Sequence, residues 1–203
     1  ECVLVAAGRG PLTDGLALEQ AGVETDAKGC IITDDFQRTN VPSVLAIGDV
    51  TGKALLAHVA SRQGIVAVEK LAGLSPHPVR EDRVPAVTYT DPEVAGVGLT
   101  EEEARQKDPG VLVGRFVFAA NGRALAQGVE GGLVKVVAEP TYGRVLGVHM
   151  AGPHVGELLA EAVLALELET TLDEFTSVIR SHPSLSEAVG EAGLAAQGRA
   201  LHM

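Results

Sequence analysis

The stretch Ser75-Pro76-His77-Pro78-Val79-Arg80-Glu81-Asp82 carries two prolines and a single apolar branched residue, so it suits neither a helix interior nor a central strand. It divides the 203-residue chain into parts with different patterning. Read as a linker over residues 75–83, it leaves a first segment, 1–74, and a second, 84–203.

The first segment reads as α/β. Residues 3–7 (Val-Leu-Val-Ala-Ala) are wholly apolar and stop at Gly8, which predicts a strand buried on both faces of a parallel sheet. They follow Glu1 and Cys2 directly, with no basic leader, as expected of a stretch from the middle of a longer protein. Residues 23–33 place the turn signal Asp26-Ala27-Lys28-Gly29 between two short strand candidates, the pattern of a hairpin. Val44-Leu45-Ala46-Ile47 reads as a second buried strand ending at Gly48-Asp49, before a helix over 54–72 closed by Gly73.

The second segment changes grammar. Strand candidates at 84–90, 94–97, 111–118, 133–138 and 145–150 are spaced for an antiparallel sheet. Helices are expected after the capping boxes Thr100-x-x-Glu103 and Thr171-x-x-Glu174, over 156–168, and over 185–197. Strands followed by clustered helices make this an α+β domain.

A formal charge of −11 would repel nucleic acid or an anionic bilayer. The most apolar helical candidate, 158–168, is too short to span a membrane and is broken by Glu161 and Glu167. Cys2 and Cys30 sit among apolar neighbours without metal-ligand spacing, which predicts buried, inert thiols in a reducing, cytoplasmic setting. His58, His77, His149, His154 and His202 likewise lack ligand spacing, and most read as surface or packing residues, so no metal is expected.

Two places could carry chemistry. In Arg180-Ser181-His182-Pro183-Ser184-Leu185-Ser186-Glu187, His182 and Glu187 have the makings of a proton-handling pair, yet Ser184-x-x-Glu187 is also the pattern of a capping box. Both readings are compatible if Ser184 caps the last helix through the N–H of Glu187 while the carboxylate turns to His182. Arg180 adds a cation two residues before the imidazole. Asp49, at the carboxyl end of a predicted strand, could accept hydroxyls of a ligand or merely belong to a surface turn. Gly8-Arg9-Gly10 and Gly96-Val97-Gly98 lack a third glycine in register, so neither is a dinucleotide fingerprint.

Context then adds a resemblance. The string from Thr39 to Asp49, T-x(6)-A-x-G-D, followed by Leu55-Leu56-Ala57-His58 at a helix start, resembles the second flavin-contacting motif of the class I pyridine nucleotide-disulfide oxidoreductases. The resemblance implies that Asp49 binds the ribityl chain of FAD and that Leu55, Leu56, Ala57 and His58 lie along the flavin. Physically, a helix N-terminus there would favour the negative charge that the pyrimidine edge gains on reduction. Val5-Ala6-Ala7-Gly8-Arg9-Gly10-Pro11 is similar to the segment whose glycine approaches NAD, which implies that role for Gly8, although a glycine that only ends a strand fits the same residues. Thr88 to Glu101, Ala120-Asn121-Gly122-Arg123-Ala124, Leu146-Gly147-Val148-His149 and Gly156-Glu157-Leu158 resemble the family's interface domain in order. Asn121 to Ala124 and Leu185 look more like the dihydrolipoamide-oxidising members than the glutathione reductases.

His182-Pro183-Ser184-Leu185-Ser186-Glu187 is similar to the family's H-P-[ST]-x-x-E segment, which implies that His182 is the catalytic acid/base and Glu187 orients it. The family's FAD and NAD fingerprints and its C-x(4)-C redox disulfide are absent from these residues. The resemblance therefore implies a C-terminal portion: the end of an α/β FAD-binding region plus an interface domain, in a homodimer where the His-Glu pair of one subunit faces the disulfide and flavin of the other. The implied activity is oxidation of protein-bound dihydrolipoamide with NAD as acceptor, the partner being the lipoyl domain of a 2-oxo acid dehydrogenase complex or glycine cleavage system. A mercuric or small-disulfide reductase, or a non-catalytic dimerisation module, are the alternatives.

Overall fold

Backbone pairing in the first part of the chain is sparse. The computed structural model describes residues 2–129 and 131–202, and the chain divides into two units, Glu1–Glu81 and Asp82–Met203. In the first, strand pairing among the described residues is limited to isolated antiparallel bridges, Thr25↔Ile31 and Arg38↔Leu45, around a small core of Val23, Ile31 and Ala46. The expected turn at 26–29 is present: Asp26 Oδ1 accepts the N–H groups of Lys28 (2.8 Å) and Cys30 (2.9 Å).

Among the described residues the predicted buried strand at 3–7 is not formed, nor is a parallel sheet. Val3, Leu4 and Val5 are 91, 89 and 81% exposed, because a strand buried on both faces needs neighbours on both edges and no described strand lies alongside. Cys2 is accordingly exposed, against expectation, whereas Cys30 is buried. Leu45 to Ile47 is a bridge segment instead of a buried strand, with Ala46 buried and Ile47 exposed. Helices α1 (Leu18–Ala21) and α2 (Ala57–Leu71) complete the unit; α2 starts later than the pattern suggested, and Gly73 closes it at a positive φ of 79°.

The second unit is the α+β domain its pattern predicts. Strands β1 (Ala86–Thr88), β2 (Glu93–Gly98), β3 (Leu112–Val117), β4 (Leu133–Ala138) and β5 (Val145–Gly152) form one antiparallel sheet in the order β1-β2-β5-β4-β3. Val148 on the central strand stands between Val97 and Val136, so three β-branched side chains line up across neighbouring strands and are buried together. Helices α3 (Glu101–Lys107) and α4 (Gly122–Ala126) link strands. Of the remainder, α5 (Val155–Glu167) packs on β2 and β5, α6 (Leu172–Ser177) packs on α7, and α7 (Glu187–Ala196) covers β3 and β4.

Both Thr-x-x-Glu boxes close as read, at α3 and α6: Glu103 accepts the Thr100 N–H (2.9 Å) and Glu174 that of Thr171 (3.0 Å). At Gly114 the sheet meets α7 without room for a side chain. A Cβ there would stand 2.0 Å from the Ala192 carbonyl oxygen and 2.2 Å from the Ala196 nitrogen. Among the described residues no helix is long and apolar enough to cross a membrane, and no group of three or more His, Cys, Asp or Glu could hold a metal.

Candidate functional site

Glu187 is the first residue of α7, so its carboxylate projects where the chain enters the helix. Its two oxygens are divided. Oε1 lies 2.8 Å from His182 Nδ1, and Oε2 accepts the Ser184 N–H at 2.7 Å. The expected compromise, in which Ser184 caps the helix and Glu187 leaves the box, is inverted. The Ser184 hydroxyl bonds that of Ser186 (2.9 Å) instead, and the N-cap, Ser186, makes no side-chain cap. The register explains this: a capping box needs the glutamate at the third helical position, and Glu187 occupies the first. The His182-Pro183 peptide bond is cis, which the sequence reading did not anticipate.

Burial pushes the Glu187 carboxyl up, but the Ser184 N–H, the His182 imidazole and the charge of His202 outweigh it and hold the group below the usual range. An ionised carboxylate only accepts hydrogen bonds, so the proton of neutral His182 belongs on Nδ1 and Nε2 is left as the free base. The His182 side chain is 80% exposed in this chain, which leaves that nitrogen open to a reactant. Behind the pair, buried Asn121 donates to the Ser184 carbonyl (2.9 Å) and accepts the Ala124 N–H (2.9 Å), tying the His-Pro segment to α4. Asn121→Ala leaves both partners unsatisfied and is expected to cost about 1–3 kcal/mol in urea unfolding; an unchanged midpoint would contradict the tie.

A second carboxylate, Glu191, stands one helical turn beyond Glu187. It accepts the N–H groups of Leu201 (2.9 Å) and His202 (3.2 Å) and lies 3.0 Å from His202 Nδ1. Burial raises its pKa, and the His202 imidazole and these backbone donors more than reverse that. The sequence pattern reads His202 as a surface or packing residue; the signal it offers for this contact is a second acidic residue four positions along one helix face. Both carboxyls have folded-state pKa values below the unfolded value of about 4.3, so their stabilisation is present above that pH and lost as pH falls through the lowered values. Thermal melts across the acid range should show a shallower loss of Tm for Glu191→Gln than for the parent chain.

The second cluster lies in the first unit. Gly48–Thr51 forms a tight turn that presents Asp49, and Gln63 on the buried face of α2 accepts the Gly48 N–H at 2.7 Å. Gly48 has φ 73°, and a Cβ there would come within 3.1 Å of Ala60, so the turn sits directly on the helix. Thr39 donates to the Val44 carbonyl (2.8 Å), fixing the loop ahead of the turn. Arg9 reaches the Leu55 carbonyl (3.4 Å) and comes within 3.8 Å of Asp49, which brings the Gly8 segment, Asp49 and Leu55 together. Leu55 and Leu56 are half-buried at the start of α2, whereas Ala57 and His58 are exposed. Arg9 and Gln63 were not singled out from the sequence. Gln63 had a signal, a polar residue among Val59, Val66 and Ala67 on the core face of α2.

Arg180 does not turn toward His182; its guanidinium is paired with Glu161 on α5.

Comparison with known proteins agrees with both units. Residues 84–193 match the family described as pyridine nucleotide-disulphide oxidoreductase, dimerisation domain, and residues 1–64 match a second family described as pyridine nucleotide-disulphide oxidoreductase. The chain is 48% identical over 201 residues to a dihydrolipoyl dehydrogenase of Thermus scotoductus, covering 99% of this chain and 43% of that protein. It is 46% identical over 202 residues to that of Bacillus subtilis, covering 100% of this chain and 42% of the relative. Among solved structures it is similar to LpdA of Mycobacterium tuberculosis, with a TM-score of 0.86 and 29% identity over 91% of this chain and 40% of that one. A flavoprotein disulfide reductase, RclA of Escherichia coli, matches with a TM-score of 0.84 and 25% identity over 93% of this chain and 43% of that one. The chain thus spans about two fifths of the length of the curated relatives it matches. On the match to more than half of its residues, the chain belongs to the pyridine nucleotide-disulphide oxidoreductase family.

Proposed function

We propose that this chain supplies the acid/base pair and the dimer interface of a flavin-dependent enzyme that oxidises protein-bound dihydrolipoamide to lipoamide with NAD as acceptor. The observation that carries the reading is the 2.8 Å contact between His182 Nδ1 and Glu187 Oε1 at an exposed imidazole. A dithiol must lose a proton before a thiolate can attack a disulfide. Nε2 of His182 accepts that proton, and Glu187 stabilises the imidazolium and holds the ring in place. Overall, dihydrolipoamide and oxidised NAD become lipoamide, NADH and a proton; flavin, when bound, relays the two electrons.

The first unit fits such a cofactor. The exposed Asp49 carboxylate suits ribityl hydroxyls, and the α2 N-terminus has neither a side-chain cap nor an acidic residue in its first turn, so its N–H groups favour an anionic edge. Leu55, Leu56, Ala57 and His58 would line the flavin, and Gly8, with φ 89° and no atom within 4 Å of an added Cβ, leaves the backbone open to close approach by the nicotinamide nucleotide. Homodimers follow from this reading, with the lipoyl domain of a dehydrogenase complex as substrate carrier. The test is to assay the complete enzyme with dihydrolipoamide and NAD beside mercuric ion and a small disulfide. Dihydrolipoamide is expected to give the highest kcat/KM; a higher value for either comparator would reject the substrate assignment.

A further inference from the structure

One residue that holds the segment before His182 is not used by the proposed chemistry. The Arg180 side chain is only 8% exposed, although it lies in the segment between α6 and α7. Its guanidinium pairs with Glu161 on α5, donates to the carbonyls of Phe175 (3.2 Å) and Val178 (3.3 Å), and lies 5.4 Å from the Phe175 ring. The seat beneath it is Gly190 of α7: a Cβ there would stand 2.7 Å from Arg180 Nη1 and 3.1 Å from Cζ. One side chain therefore joins α5, α6 and α7 two residues before His182, and the helix it rests on begins with Glu187.

We propose that Arg180 is a positioning residue for the acid/base pair, its guanidinium locked on the bare face of Gly190 so that the 178–183 segment delivers the His182 imidazole to Glu187. The geometry favours this over a purely structural anchor because the lock fixes both partners: Arg180 shares the segment of His182, and Gly190 the helix of Glu187. The inference rests on the His182–Glu187 reading above.

Imidazole NMR of the histidine-labelled 203-residue chain tests it, with E187Q as the reference for a broken pair. E187Q is expected to weaken the Nδ1–H preference of His182, because an amide offers a donor as well as an acceptor where the carboxylate only accepts. R180Q, E161Q and G190A are each expected to shift His182 toward the E187Q spectrum, with R180K closer to the parent. G190A is the most telling, since its methyl would displace the guanidinium directly, and a merely structural anchor would then lower Tm while leaving His182 alone. E161Q, at a half-exposed position, keeps the test open if R180Q does not fold. Parent-like His182 spectra in E161Q and G190A, with E187Q shifted, would overturn the role of Arg180 alone. An E187Q chain in which His182 is unchanged would remove the pairing itself, and with it both this inference and the proposed function.

Discussion

His182→Gln in the complete enzyme is expected to lower dihydrolipoamide turnover by about two to four orders of magnitude, the range of a lost general base. Glutamine can still donate a hydrogen bond to Glu187 Oε1, so the loop should stay in place, but it offers no nitrogen that accepts a proton at neutral pH. Flavin content, read from visible absorbance, should match the parent, because His182 belongs to the interface-domain match and the candidate flavin residues to the first unit. The residual rate should climb with pH as solvent takes over thiol deprotonation. Unchanged turnover would remove His182 from the mechanism.

Gly114→Ala is expected to be the most damaging single methyl in the second unit. Strand propensity alone would favour alanine over glycine. The added carbon would instead meet backbone of α7 at 2.0 and 2.2 Å, and backbone cannot rotate aside as a side chain can. Overpacking of this kind costs about 1–3 kcal/mol and sometimes more. It should lower the urea midpoint at constant m-value. Because α7 begins with Glu187, a helix displaced from β3 also carries the carboxylate away from His182. A midpoint at or above the parent value would mean that β3 and α7 do not approach so closely.

What could be read from the sequence was what is written locally. The five antiparallel strands follow from alternation and turn spacing, and the Thr100 and Thr171 boxes depend on residues three apart. Residues 3–7 failed because an apolar run states only that a segment could be buried; burial needs neighbours, and none is present among the described strands. The His182–Glu187 contact was legible as a possibility, but the division of the carboxylate between imidazole and Ser184 N–H was not, since it depends on where α7 begins. Arg9 on Asp49, Arg180 on Glu161 and Glu191 on the 201–202 segment join residues 10 to 40 positions apart, and no periodic pattern reports such meetings.

The bare start of α7 has a consequence for how such a chain could be improved. Helices α3 and α6 open with complete boxes, whereas Ser186 leaves α7 without a side-chain cap. Exchanging the side chain at 186 would not supply one, because Ser186 has φ −65° and ψ −20°, helical values, whereas a capping residue sits in the extended region. The negative charge of Glu187 in the first turn offsets the missing cap. Work toward heat resistance therefore has to spare Glu187, whose carboxylate serves the helix dipole and the imidazole at once.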